Sequence, residues 1–176
     1  MPNVKRETLD PEFIAGLIVG EGTFYWTTCP LGKIPAFALR MHVRDKELVS
    51  KVRDALGLRN KVYEYTHNNR HYVFLIVREI GALKNNIISA FYPRLKGYKR
   101  LQFLEWFHGF FDAETAEGYQ FFPNALRRQF PELCDEQTLT QMISEERAQL
   151  QGEATLKSAT TAARLPIEIW PWERGA

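Results

Sequence analysis

Asp10-Pro11-Glu12-Phe13-Ile14-Ala15-Gly16-Leu17-Ile18-Val19-Gly20-Glu21-Gly22-Thr23-Phe24 is the stretch on which the reading of this chain turns. It begins as a helix begins. Asp10 is suited to cap free amides, Pro11 fits the first helical position, and Glu12 sits at the positive end of the dipole. The interior then breaks a helix rule, because Gly16 and Gly20 lie one turn apart where alanine would be about 1 kcal/mol better each. Small residues four apart make a flat stripe on which another helix backbone packs closely. At its foot stands one carboxylate, Glu21, followed by Gly22 and strand-forming residues. A close helix–helix seam ending in an acid is a place to hold a hard cation.

Downstream, the periodicity alternates between two and 3.6 residues. Thr23–Cys29 reads as a strand with Phe24 and Trp26 on one face and Tyr25, Thr27 and Cys29 on the other. Pro30-Leu31-Gly32-Lys33 reads as a turn. Residues 35–44 alternate again: Phe37, Leu39, Met41 and Val43 oppose Arg40, His42 and Arg44. Asp45 is the expected N-cap of a helix that Gly57 ends. Lys61–Thr66 and Tyr72–Arg78 flank a polar turn at His67-Asn68-Asn69-Arg70. Glu79–Phe91 has helical spacing up to Tyr92-Pro93, and a further helix runs from about Lys99 to Phe111. The expected class is α+β, with an αββαββα core, four antiparallel strands, helices on one face, and a C-terminal helical extension. The expected division is a core over 1–114 and an extension over 115–176. In the extension, Thr138–Gln151 reads as an exposed helix with Thr138 as N-cap.

Composition narrows the function classes. The 176 residues are 45% hydrophobic and 13% aromatic, which builds a packed core rather than a disordered chain. The apolar run Phe13–Val19 is too short to cross a bilayer, so no membrane partner is expected. Met1–Arg6 lacks a signal-peptide core, and Cys29 and Cys134 read as reduced thiols; the expected location is intracellular, cytoplasmic in a prokaryote or organellar. Charge is unevenly spread. Residues 1–104 carry 17 Lys and Arg against 9 Asp and Glu, whereas residues 105–176 carry 6 against 12. A basic first part fits a polyanion-binding face. His42, His67, His71 and His108 form no zinc spacing, and no glycine loop for a nucleotide cofactor is present.

Ile14-Ala15-Gly16-Leu17-Ile18-Val19-Gly20-Glu21-Gly22, with the element order and the downstream Tyr92-Pro93-Arg94-Leu95-Lys96-Gly97-Tyr98-Lys99-Arg100, resembles the LAGLIDADG homing endonucleases. The chain is most similar to their short, single-motif, intron-encoded members from archaea and organelles. It departs at Val19, where an acid is common, and at Ile14. The resemblance implies a saddle-shaped sheet in the DNA major groove and a homodimer seamed by Phe13, Gly16, Leu17 and Gly20. It implies Glu21 as metal ligand, with the Gly20 carbonyl as a second oxygen and Mg2+ as the ion. Both strands of a site-specific duplex would be cut in intron homing, leaving short 3′ overhangs, at a roughly palindromic site of about 20 base pairs. Lys99 is implied as the basic residue near the active site that stabilises the pentavalent phosphate or helps position water, with Lys96 as rival, and Asp45 as a residue orienting water. The alternative on the same fold is an RNA maturase that aids splicing, or a DNA-binding regulator that does not cleave.

DNA contacts are expected from the uncovered sheet face: Tyr25, Thr27, Cys29, Arg40, His42 and Arg44 by period-two logic, and Tyr63, Tyr65, Arg70 and Arg78 from the second hairpin. Lys33 and Lys96 are expected phosphate neighbours, and Lys157, Thr160 and Thr161 weaker ones. Trp106-Phe107-His108-Gly109-Phe110-Phe111-Asp112-Ala113-Glu114 looks like a degenerate second signature. Too few residues follow it for a second core, so it is expected to end a core helix.

Overall fold

Helix α1 (Pro11–Glu21) starts as its sequence dictates: the Asp10 carboxylate accepts the Glu12 amide at 2.9 Å, and Pro11 occupies the first turn. The computed structural model describes residues 9–30, 32–112 and 119–162, without the side chains of 157–162. After α1 come β1 (Gly22–Cys29), β2 (Gly32–His42), α2 (Lys46–Ala55), β3 (Val62–His67) and β4 (Arg70–Val77). Helices α3 (Ile80–Ala82) and α4 (Ile88–Phe91) are joined by a π-helical turn over Leu83–Ile87. Then follow α5 (Gly97–His108), α6 (Asn124–Gln129) and α7 (Glu136–Ala162). None of the described helices is long and apolar enough to cross a membrane.

The four strands form one antiparallel sheet in the order β1-β2-β4-β3. Its register places Phe24, Phe37 and Val77 in one row beneath the helices. Phe24 meets Phe37, Phe103 and Trp106 at ring-centroid distances of 5.1–5.3 Å. Asn68 and Asn69, at φ 48° and 58°, turn the second hairpin through the two left-handed positions that a tight type I′ turn requires. The α+β expectation, with helices on one face of the sheet, is what the structure adopts. In the segment that resembles a second signature, residues 106–111 are the end of α5 and a 3-10 turn, with Trp106, Phe107 and Phe110 buried, while 113 and 114 lie outside the described residues. The last elements share the same core: Phe122, Leu126, Phe130, Leu133, Leu139 and Ile143 join one cluster with the strands.

Several boundaries differ from the sequence reading. Strand β2 ends at His42, and Val43–Asp45 is a 3-10 turn, so Arg44 leaves the strand alternation. The turn is capped by His42, whose Nδ1 accepts the Arg44 amide; Asp45 precedes α2 without a side-chain cap. Helix α7 is capped by Asp135 rather than Thr138. Its carboxylate accepts both the amide and hydroxyl of Thr138, at 2.8 and 2.6 Å. A carboxylate three residues earlier takes both donors, and Leu139 and Ile143 then turn into the core.

One buried charge stands out. Lys84, in the π-helical turn, is 3% exposed. Its ammonium donates to the carbonyls of Tyr119 and Phe121 and lies over the rings of Phe110 and Phe122. Burial pushes its pKa down to about 8. The unfolded chain therefore holds this proton up to a higher pH than the folded one, and stability contributed here rises with pH from about 8 to the ordinary lysine value of 10.5. We expect urea unfolding of the native chain to show that rise. Lys84→Met is expected to flatten it while lowering stability overall, since two carbonyls lose their donor. A variant with an unchanged slope would remove Lys84 as the titrating group.

Candidate nucleic-acid interface and active site

Strand alternation decides which side chains reach the uncovered sheet face. In β4, Val73, Leu75 and Val77 are buried beneath the helices, which turns Tyr72, Phe74 and Ile76 outward. Across the ladders, Arg40 pairs with Phe74, which pairs with Tyr63, while His42 pairs with Tyr72, which pairs with Tyr65. These six residues form two adjoining rows of cation and aromatic. The Arg40 guanidinium lies 5.1 Å from the centre of the Tyr72 ring, and Tyr65 stacks on Tyr72 at 5.3 Å. A hydrogen bond with Tyr65 and then the charge of Tyr65 raise the Arg40 pKa above its ordinary value, with a smaller contribution from Glu21.

Tyr25, Thr27 and Cys29 continue the same face on β1, opposite Ala36, Ile34 and Gly32. Arg70, opposite His67, lies at its hairpin end, and Arg78 follows in the same alternation just past β4. Lys33 falls on the helix side, where it pairs with Asp112 at 3.0 Å. Arg44 projects from the 3-10 turn with Asp45 at 3.7 Å. The lysine and threonines at 157, 160 and 161 have side chains outside the described residues. Tyr72, Phe74 and Ile76 were absent from the expected contacts, although they alternate with three buried β-strand residues.

A cleft of about 470 Å³ opens at the foot of α1, between Gly20, Glu21 and Lys99 on one side and Tyr25, Arg40 and Phe74 of the sheet on the other. Gly22 makes this corner possible. A β-carbon there would stand 2.9 Å from the Ile18 carbonyl oxygen and 2.5 Å from its Cγ2, so only glycine lets α1 run directly into β1. The Gly22 carbonyl accepts a 2.7 Å hydrogen bond from the Lys99 ammonium. Burial lowers the Lys99 pKa. Helix α5 is held against β1 by two indoles: Trp106 donates to the Tyr25 carbonyl at 3.2 Å, and Trp26 donates to the Trp106 carbonyl at 2.9 Å. Lys96, exposed before the first turn of α5, and Asp45 do not line this cleft.

Glu21 is exposed and has no hydrogen-bond or ion-pair partner among the described residues. Its carboxylate and the neighbouring backbone carbonyls are hard oxygen donors, the chemistry that magnesium prefers. No cluster of three or more His, Cys, Asp or Glu able to hold a metal occurs among the described residues. By itself Glu21 supplies one carboxylate toward such an ion.

On the opposite side of α1, Ile14, Ala15 and Ile18 are buried. Phe13, at 49% exposure, Gly16 and Gly20 lie bare, with nothing within 4 Å of a β-carbon at either glycine. Leu17 is half-buried at the margin of the core.

No protein-family model matches the chain, and no curated protein does. Solved structures do. The LAGLIDADG homing endonuclease I-GzeII in complex with its DNA target is similar with a TM-score of 0.53 and 23% identity, over 71% of this chain and 42% of that one. The homing endonuclease I-TnaI gives 0.51 and 20%, over 78% of this chain and 98% of that one. The I-LtrWI LAGLIDADG homing endonuclease bound to target DNA gives 0.51 and 20%, over 69% and 48%. The chain thus spans about half the length of the two DNA-bound neighbours and nearly the whole of I-TnaI. The architecture is the LAGLIDADG homing-endonuclease fold.

Proposed function

We propose that this chain is a site-specific double-strand DNA endonuclease that acts as a homodimer, requires magnesium, and serves intron homing. The observation that carries the reading is the meeting of Glu21 and Lys99, distant in sequence, in one cleft at the margin of an open cationic and aromatic sheet. Two structural neighbours hold DNA targets, which supports a duplex as the partner.

In this reading the duplex lies along the sheet. Arg40 is placed to pair with guanine, and Tyr25, Thr27, His42, Tyr63 and Tyr65 to meet bases, sugars or bridging waters. Glu21 and the Gly20 carbonyl would hold the magnesium ion. When bound, that ion supplies Lewis acidity at the phosphate and at water. Lys99, fixed by the Gly22 carbonyl, keeps its ammonium where negative charge gathers on the phosphate oxygens. One chain brings one such acid. A second copy seated on the Phe13–Gly16–Gly20 face brings the other, so both DNA strands are cut to short 3′ overhangs at a roughly palindromic site.

The direct test is incubation with DNA spanning the chain's own intron-insertion junction, with magnesium or with a chelator. Discrete fragments are expected only with the metal. Glu21→Gln is expected to abolish cutting while retaining binding; loss of both together would give Glu21 a folding role instead.

Lys99→Met is expected to slow cleavage on the order of 10²- to 10³-fold with a smaller loss in binding. The charged ammonium is the active form, so the rate falls as pH rises through a pKa below the ordinary 10.5. Lys99→Arg, which stays charged, moves that fall to higher pH. Equal losses of binding and cleavage in Lys99→Met would reduce the residue to a phosphate contact.

Gly20→Leu is expected to leave the chain folded, because nothing lies within 4 Å of the added β-carbon, while abolishing the dimer in sedimentation. A dimer that survives the change would locate the seam elsewhere.

A further inference from the structure

At the outer edge of the sheet, a notch of about 340 Å³ is formed by the segment entering β3 and the end of β4. Arg59, Lys61 and Arg78 surround it. All three are exposed, and none has an ion-pair partner among the described residues. The one acid at the notch, Glu79, is already engaged. Its carboxylate accepts from Asn60 at 2.9 Å and from the Arg78 amide at 3.1 Å, and these bonds hold its pKa below the usual range. Asn60 also donates to the Ile76 carbonyl at 2.9 Å, which ties the β3 entry to β4. Leu58, next to Arg59, is buried, and Lys61 lies over the Tyr63 ring at 5.5 Å. The segment between Leu58 and the Asn60 bonds is therefore held in place, while none of the three heads meets a carboxylate among the described residues.

We propose that Arg59, Lys61 and Arg78 form a phosphodiester-binding notch that grips the flank of the duplex, away from the cleft. The inference rests on the DNA-binding reading above, which already includes Arg78, and extends it to Arg59 and Lys61. With β1 and β3 at opposite edges, the notch lies roughly 14 Å across the sheet from the strand that begins at Gly22. Three cations beside one occupied carboxylate offer a net positive site matched to one or two backbone phosphates. Lys61 and Arg59 flank Asn60, whose amide is fixed by Ile76 and Glu79. Phosphate contacts set affinity and register without reading sequence.

The test is fluorescence-anisotropy titration of a labelled mixed-sequence duplex over a range of salt concentrations. It compares the native chain, the triple variant Arg59→Gln/Lys61→Gln/Arg78→Gln, and Arg128→Gln on the helix side as a charge control. For the triple variant, affinity is expected to fall equally for all sequences. The plot of log affinity against log salt is expected to become shallower by about 0.9 per lost phosphate contact. The control is expected to keep the native slope, and circular dichroism to show all three chains folded. An unchanged slope in the triple variant, with native binding intact, would overturn the notch and leave the sheet reading standing. The same shallowing in Arg128→Gln would overturn it too, since general charge loss would then suffice. A native chain that binds no duplex would overturn both.

Discussion

The reciprocal indole bonds between β1 and α5 are the constraint on which the candidate site depends. Trp26 reaches the Trp106 carbonyl, and Trp106 reaches the Tyr25 carbonyl, so strand and helix are locked in one axial register. Both bonds are partly shielded by the aromatic cluster, where an unmet donor would be costly. A one-residue slip of β1 would turn Trp26 to the open face and unmake both bonds. That register also brings Lys99, two turns earlier on α5, to the Gly22 carbonyl. The space that would admit a slip is absent as well: a β-carbon at Gly109 would collide with the Trp26 ring, so the helix end is shaped around the indole. The geometry at Glu21 thus follows from packing about two turns of helix away.

The helical and strand pattern of the core was readable because each element has one buried face. Phe24, Phe37 and Leu39 announce the inner face of the first hairpin by simple alternation, and Arg40 and His42 are outward by the same arithmetic. Where a residue's place depends on a distant partner, alternation was silent. Lys33 continues the strand pattern onto the helix side, and its acid, Asp112, comes from the far end of the core. Asp45 looks like a cap, yet the His42 ring supplies the local acceptor one turn earlier. Thr138 looked like a cap in a Thr-x-x-Gln frame, but Asp135 carries a full charge and takes both of its donors. The aromatics of β4 were hidden for another reason. Tyr72, Phe74 and Ile76 alternate with Val73, Leu75 and Val77, so the strand is apolar on both faces, and hydrophobicity alone does not separate core from interface.

The uneven charge of the chain acquires a spatial meaning in the fold. Some cations of the first part stand on the open side of the sheet or at its edge, as at Arg40, Arg70 and Arg78, while Lys33, Lys84 and Arg100 lie on the helix side. Acids of the second part are drawn into pairs on the helix side: Glu146 with Arg100 at 3.3 Å, Glu105 with Arg147, and Glu132 with the Tyr92 hydroxyl at 2.8 Å. Of these, the exposed Glu105–Arg147 pair adds little stability. Glu146 with Arg100 and Glu105 with Arg147 set opposite charges against each other on the helix side.

Helix α1 presents a cost that the single chain does not explain. Gly16 and Gly20 each forgo about 1 kcal/mol of helix stability relative to alanine. Gly22 is different, because Ile18 leaves no room for a side chain there. At Gly16 and Gly20 there is nothing within 4 Å to exclude one, and Phe13 and Val19 beside them remain 49% and 43% exposed. A monomer would gain by filling this stripe and by making it polar; this chain does neither. A neighbouring helix on that face removes both contradictions at once, since it needs the glycines for close approach and covers the two apolar side chains. What the isolated fold leaves uncovered is thus a glycine-lined apolar face that runs down α1 to the carboxylate of Glu21.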